Sequence, residues 1–121
     1  MEEQKKILIV DDEEVIRDFL SEVLKDSYTI STATDGDEAI ELIKKHSFDI
    51  IITDMKMPRV TGEEVVKFAK QNSPNSKVIV VSGYSSLYSV CESVDNGADE
   101  FISKPFSIKQ LMSTLEKCLS Q

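Results

Sequence analysis

Hydrophobic and polar positions along this chain alternate between two periods. Short runs rich in β-branched residues fall at Ile7–Val10, Thr29–Ala33, Ile50–Thr53, Val78–Val81 and Phe101–Ile102, and these predict strands. Between them the apolar spacing opens to three and four. Val15, Ile16, Phe19, Leu20, Val23 and Leu24 mark a first helix; a second is predicted from about Asp37 to His46 and a third from about Glu63 to Gln71. Leu87, Val90, Cys91 and Val94 mark a fourth, ended by Gly97 as a left-handed cap. The fifth carries Ile108, Leu111, Met112, Leu115 and Leu119, and Ser107 with Gln110 forms a capping box at its start.

Five strand–helix units in strict alternation predict an α/β fold, a doubly wound five-stranded parallel sheet, because right-handed crossovers put helices on both faces. The first and third strands are the most continuously apolar and suit the sheet's centre. The simplest arrangement is flavodoxin-like, (βα)5 with strand order 2-1-3-4-5. A chain of 121 residues with no repeat or linker is expected to be a single domain over 1–121, with no second domain in the chain.

Charge narrows the function. There are 22 acidic against 14 basic residues, net −8, and such a surface repels phosphate backbones, so no direct nucleic-acid partner is expected. No apolar run approaches the roughly 20 residues of a membrane helix. The four apolar residues after Lys5 and Lys6 are too few for a signal-peptide core, so a cytoplasmic location is expected. Cys91 and Cys118 form no CxxC pair and fall in apolar helical patterns, as packing residues do. His46 closes the second helix and reads as a surface residue.

The candidate chemistry lies where strands end. "ILIVDDEE" runs a buried strand into Asp11 and Asp12, and "DIIITDMKMP" runs another into Asp54. In a parallel sheet all these ends share one edge, the edge where open α/β sheets bind ligands. Ser82 follows the fourth strand and Lys104 the fifth. Three carboxylates at short range raise one another's pKa values unless a cation intervenes, and Lys104 supplies only one charge. Oxygen-only donors select a hard ion, and Mg²⁺ commonly shares its shell with a phosphate. Asp54, on a stiff buried strand, suits the nucleophile that becomes an acyl phosphate, with Asp11 and Asp12 holding the metal and Lys104 and Ser82 meeting phosphate oxygens. Singly, each residue has an ordinary reading: Asp12 or Glu13 as a helix cap, Lys104 as a loop lysine, Ser82 as turn chemistry. Together, at matching strand ends, they point to phosphoryl transfer.

"VDDEE", "DMKMPRVTG", "VSGYS" and "ISKPF" together resemble the receiver domain of bacterial response regulators of two-component and phosphorelay systems, and the likeness spans essentially the whole chain. The resemblance implies that Asp54 accepts a phosphoryl group from a sensor histidine kinase or a histidine phosphotransfer protein. It implies that Asp12 and Asp54 ligate Mg²⁺ directly, Asp11 mainly through water, and Lys56 through its backbone carbonyl. Lys104 would contact the phosphate, and its bond to Pro105 would be cis. Ser82 and Phe101 would form the switch, Phe101 turning inward as Ser82 leaves. Such a domain catalyses only its own phosphorylation and dephosphorylation. Thr61 before Gly62 departs from the usual Asp-Gly, which implies a changed turn contact without loss of function. Lys56 and Tyr84 stand where the family tunes phosphate lifetime; both are large, and a long-lived phosphoryl-aspartate is expected.

The apolar arc of the first helix is wider than a core-facing stripe requires. Ile16 and Phe19, with Val15, are therefore expected to stay partly exposed beside the site and, with Pro105 and Phe106, to dock the kinase. The fourth helix, fifth strand and fifth helix, with Leu87, Tyr88 and Phe101, would switch a downstream effector protein or domain. Three rival readings compete with this one. A haloacid-dehalogenase-type phosphohydrolase wants a second Asp where Lys56 stands. A flavodoxin wants a Ser/Thr/Gly-rich phosphate loop where "DDEE" stands. A non-phosphorylating pseudo-receiver, acting only as an interaction module, is the alternative.

Overall fold

The computed structural model describes residues 4–55, 57, 59–83 and 97–120. Five strands, β1 (Lys6–Val10), β2 (Thr29–Ala33), β3 (Ile50–Thr53), β4 (Lys77–Ser82) and β5 (Glu100–Ser103), form one parallel sheet in the order β2-β1-β3-β4-β5. Among the described residues the helices are α1 (Glu14–Leu24), α2 (Gly36–Lys45), α3 (Gly62–Asn72) and a C-terminal helix (Ile108–Leu119). None is long and apolar enough to cross a membrane. The fourth predicted helix, with Leu87, Tyr88, Val90, Cys91 and Val94, lies outside the described residues, as do Lys56 and Tyr84. Gly97 is described and does adopt the left-handed conformation, φ 106°.

The two-residue period of the strands divides the core. Ile7, Ile9, Ile50, Ile52, Ile79, Val81 and Ile102 face Leu20 and Leu24 of α1 and Leu111, Leu115 and Cys118 of the C-terminal helix. Leu8, Val10, Ile51, Val78 and Val80 face the other way, onto Ala39 and Ile43 of α2 and Val65, Val66 and Ala69 of α3. Strands covered on both sides are apolar throughout, which is why β1, β3 and also β4 read as unbroken runs.

One helix start differs from the sequence reading. The second helix begins at Gly36 because Asp35 caps it, Oδ1 accepting from the Glu38 amide at 2.8 Å. Ile108, placed in the apolar stripe of the fifth helix, is half exposed; it is the first residue of that helix. Ser107 does cap that helix, accepting from the Gln110 amide at 3.0 Å.

Candidate functional site

Strand register assembles the site. Val10 stands beside Thr53, so Asp11 and Asp54, one residue further on, emerge side by side; the Asp54 amide still donates to the Val10 carbonyl at 3.1 Å. Ser82 pairs with Ser103, and the Lys104 amide donates to the Ser82 carbonyl at 2.8 Å, which places Lys104 at the same edge. Asp11 is 3% exposed, Asp54 7%, and Ser82 fully buried. The Lys104–Pro105 peptide is cis.

Lys104 Nζ lies 3.2 Å from Asp11 Oδ2 and 3.3 Å from Asp54 Oδ2, with Glu13 Oε1 at 3.9 Å. Carboxylate oxygens of Asp11, Asp12, Glu13 and Asp54 come within 4.8 Å of one another. The Lys104 ammonium can offset only one of those charges. Burial is the main reason the Asp11 carboxyl is pushed above its ordinary range; the Glu13 amide and Lys104 pull it back, and the Asp54 charge adds the smallest upward push. Desolvation, rather than the mutual repulsion expected from the sequence, is thus the larger cause. Burial pulls the Lys104 ammonium down, but the charges of Asp54 and Asp11 and its hydrogen bonds to both outweigh this, and its pKa rises.

Several contributors escaped the sequence reading. Glu13, for which a helix cap is one ordinary reading, makes no side-chain cap; its amide instead donates to Asp11 Oδ1 at 2.9 Å. Arg17 reaches back from α1 to the Asp11 carbonyl at 2.8 Å. Gly62 matters because α3 starts against the Asp54 backbone: a Cβ there would collide with the Asp54 carbonyl oxygen and lie 2.6 Å from Met55 Cα. Thr61 caps α3, its Oγ1 accepting from the Glu64 amide at 3.4 Å, the role an Asp would fill. Arg59, between them, has a left-handed backbone, φ 63°, which costs a non-glycine residue about 1–2 kcal/mol.

Beside the acids, Ile16, Phe19, Lys104, Pro105 and Phe106 line a mostly apolar groove of about 370 Å³. Phe19 and Phe106 tilt against each other with ring centroids 6.3 Å apart, and Phe19 remains 40% exposed, Val15 75%. Phe101, on β5, packs against the α2–α3 side of the core and is only partly buried. A larger polar cavity of about 580 Å³ opens at the opposite edge, beside Lys6, Asp49 and Ser76, but holds none of this constellation.

Comparison with known proteins agrees with the geometry. The model of the response regulator receiver domain family matches residues 7–116. Sporulation initiation phosphotransferase F of Bacillus subtilis is 36% identical over 116 residues, covering 95% of this chain and 94% of that protein. Response regulators of Staphylococcus aureus also match, though this chain spans only 52% of their length. A CheY-like receiver domain protein from Methanospirillum hungatei superposes with TM-score 0.93 at 32% identity, covering 98% of this chain and 95% of that one. The response regulator TrrA of Thermotoga maritima, solved with Mg²⁺ and BeF, gives 0.86 at 34% identity, covering 95% and 99%. The chain belongs to the receiver domain family of the response regulators of two-component systems.

Proposed function

We propose that the chain is a phosphoryl-accepting receiver, a cytoplasmic signalling domain whose only catalysis is performed on itself. The observation that carries this reading is Lys104, held between two buried carboxylates at 3.2 and 3.3 Å. An ammonium already seated on the nucleophile offsets charge on the group delivered to Asp54 without moving far. An Asp54 oxygen attacks the phosphorus of a phosphohistidine on a sensor kinase or histidine phosphotransfer protein. The O–P bond forms as the N–P bond breaks, and the imidazole departs with the electron pair. Burial draws the Lys104 ammonium down, but the charges of Asp54 and Asp11 outweigh it and favour the protonated form that meets the incoming group.

The donor set fits a hard divalent cation, being all oxygen and more acidic than Lys104 alone can balance. Asp11, Asp12 and Asp54, with the carbonyl of Lys56, would hold Mg²⁺, and the Mg²⁺–BeF complex of TrrA supports that choice of ion. The bound ion would neutralise phosphoryl oxygens. Ser82, buried at the same edge, hydrogen-bonds the phosphoryl group and draws Phe101 inward, which changes the surface offered to a downstream effector by the fourth helix, β5 and the C-terminal helix. Lys56 and Tyr84, both large, would lengthen the life of the acyl phosphate. The groove of Ile16, Phe19, Pro105 and Phe106 receives the histidine-bearing helix, because it is apolar and opens directly onto Lys104.

Intact-mass analysis after incubation with acetyl phosphate tests the reading. One added phosphate is expected, requiring both Mg²⁺ and Asp54 and absent from Asp54→Ala. A folded wild-type protein that gains no phosphate would instead be a pseudo-receiver.

A further inference from the structure

The loop between β3 and α3 is tied at two places. At one end Gly62 sits on the Asp54 backbone, its amide donating to the Met55 carbonyl at 3.0 Å. In the middle, Arg59 reaches across to the start of α2: Nη2 lies 3.1 Å from Asp35 Oδ2 and Nε 3.1 Å from Asp37 Oδ2. Asp35 is the residue that caps α2 through its other oxygen, so the guanidinium grips a fixed point. Next to it Val60 packs on Gly36 so tightly that a Cβ at Gly36 would stand 2.6 Å from both the Val60 carbonyl and its Cγ1. The left-handed backbone of Arg59 aims its side chain at these two acids, a conformation that a glycine would hold more easily but without the ion pairs.

We infer that Arg59 is a positioning residue: by strapping this loop to α2 it sets how well the Asp54 site holds a divalent cation. The inference rests on the reading of the site proposed above. The strap is exposed, Arg59 being 68% accessible, so salt weakens it. Cation affinity should therefore respond to Arg59 although Arg59 is no ligand.

The sign of the effect separates this from simple electrostatics. Deleting a nearby positive charge, with no change in the loop, would tighten cation binding. Loosening a support for the ligand set would weaken it, by about tenfold for such outer contacts. Titration calorimetry with MgCl₂ at low ionic strength would compare wild type, Arg59→Lys, Arg59→Ala and Arg59→Gly, each first shown to unfold cooperatively in urea. Weaker binding in Arg59→Ala and Arg59→Gly, with Arg59→Lys between them and wild type, is expected. The gap between wild type and Arg59→Ala should close as KCl is raised. Equal or tighter binding in Arg59→Ala would overturn the strap. A wild-type protein that binds no Mg²⁺ through Asp54 would overturn the site reading, and the strap with it, on the wild type alone.

Discussion

Gly62→Ala is the sharpest single perturbation of this fold. The added methyl would run into the Asp54 carbonyl oxygen and stand 2.6 Å from Met55 Cα and 2.8 Å from the Asp54 carbonyl carbon. Ordinary contact begins near 3.4 Å, so Met55 Cα alone must retreat by about 0.8 Å. The obstacle is backbone, not a flexible side-chain tip, so either α3 lifts or the end of β3 moves. Overpacking of this kind costs ~1–3 kcal/mol. Alanine's smaller entropy loss on folding returns ~0.4–1 kcal/mol, so the middle of the two ranges leaves a net loss of about 1.3 kcal/mol. For a domain of this size that lowers Tm by roughly 4–7 °C. Gly83→Ala is the control, since a Cβ there meets nothing within 4 Å among the described residues, and a change within ~0.5 kcal/mol is expected. Thermal and urea unfolding by circular dichroism would measure both. Below its Tm, Gly62→Ala should also lose phosphorylation rate by about tenfold or more, because the clash displaces the backbone that carries Asp54. A Gly62→Ala Tm within ~1 °C of wild type would refute the argument from close approach.

Two further outcomes are expected. Thr61→Ala removes the cap of α3 and should cost about 1 kcal/mol in urea unfolding, while Thr61→Asp should hold or improve stability; equal midpoints for all three would remove the cap from the account. Stability should also fall from about pH 9 upward. Burial raises the Cys118 thiol above its ordinary 9.0 and the Tyr28 phenol above 10.0, and the paired acids raise Lys104 above 10.5. In each case the folded chain keeps a proton that the unfolded chain has begun to release, so the slope against pH is negative in that window. Urea midpoints that stay level or rise from pH 8 to 10.5 would contradict this.

Most of the architecture was readable because strands covered on both sides and helices covered on one leave different apolar periods. The acids at strand ends were readable for a related reason: each has an ordinary reading alone, but Asp11 and Asp54 directly follow two buried strands whose ends share one edge. What escaped notice was set by contacts between distant segments. The Arg59 ion pairs with Asp35 and Asp37 join loops more than twenty residues apart, and no periodicity marks them. The part Glu13 plays, offering its amide to Asp11 Oδ1, is a backbone contact that a side-chain pattern does not encode. The upward shift of Asp11 looked like repulsion, since sequence shows neighbouring charge but not the depth at which a carboxyl sits.

The alternation along the strands has a consequence for how this domain tolerates change. Ile9 and Leu8 are neighbours in the chain, yet they belong to separate halves of the interior. A volume lost at Leu8 can be made good from Val66 or Ile43, never from Leu20 or Leu115. The sheet thus acts as a partition between two compartments whose side chains drift independently. The α1 side can be remodelled for a new partner while the α2–α3 side keeps its packing, provided the strand ends that both compartments share stay where they are.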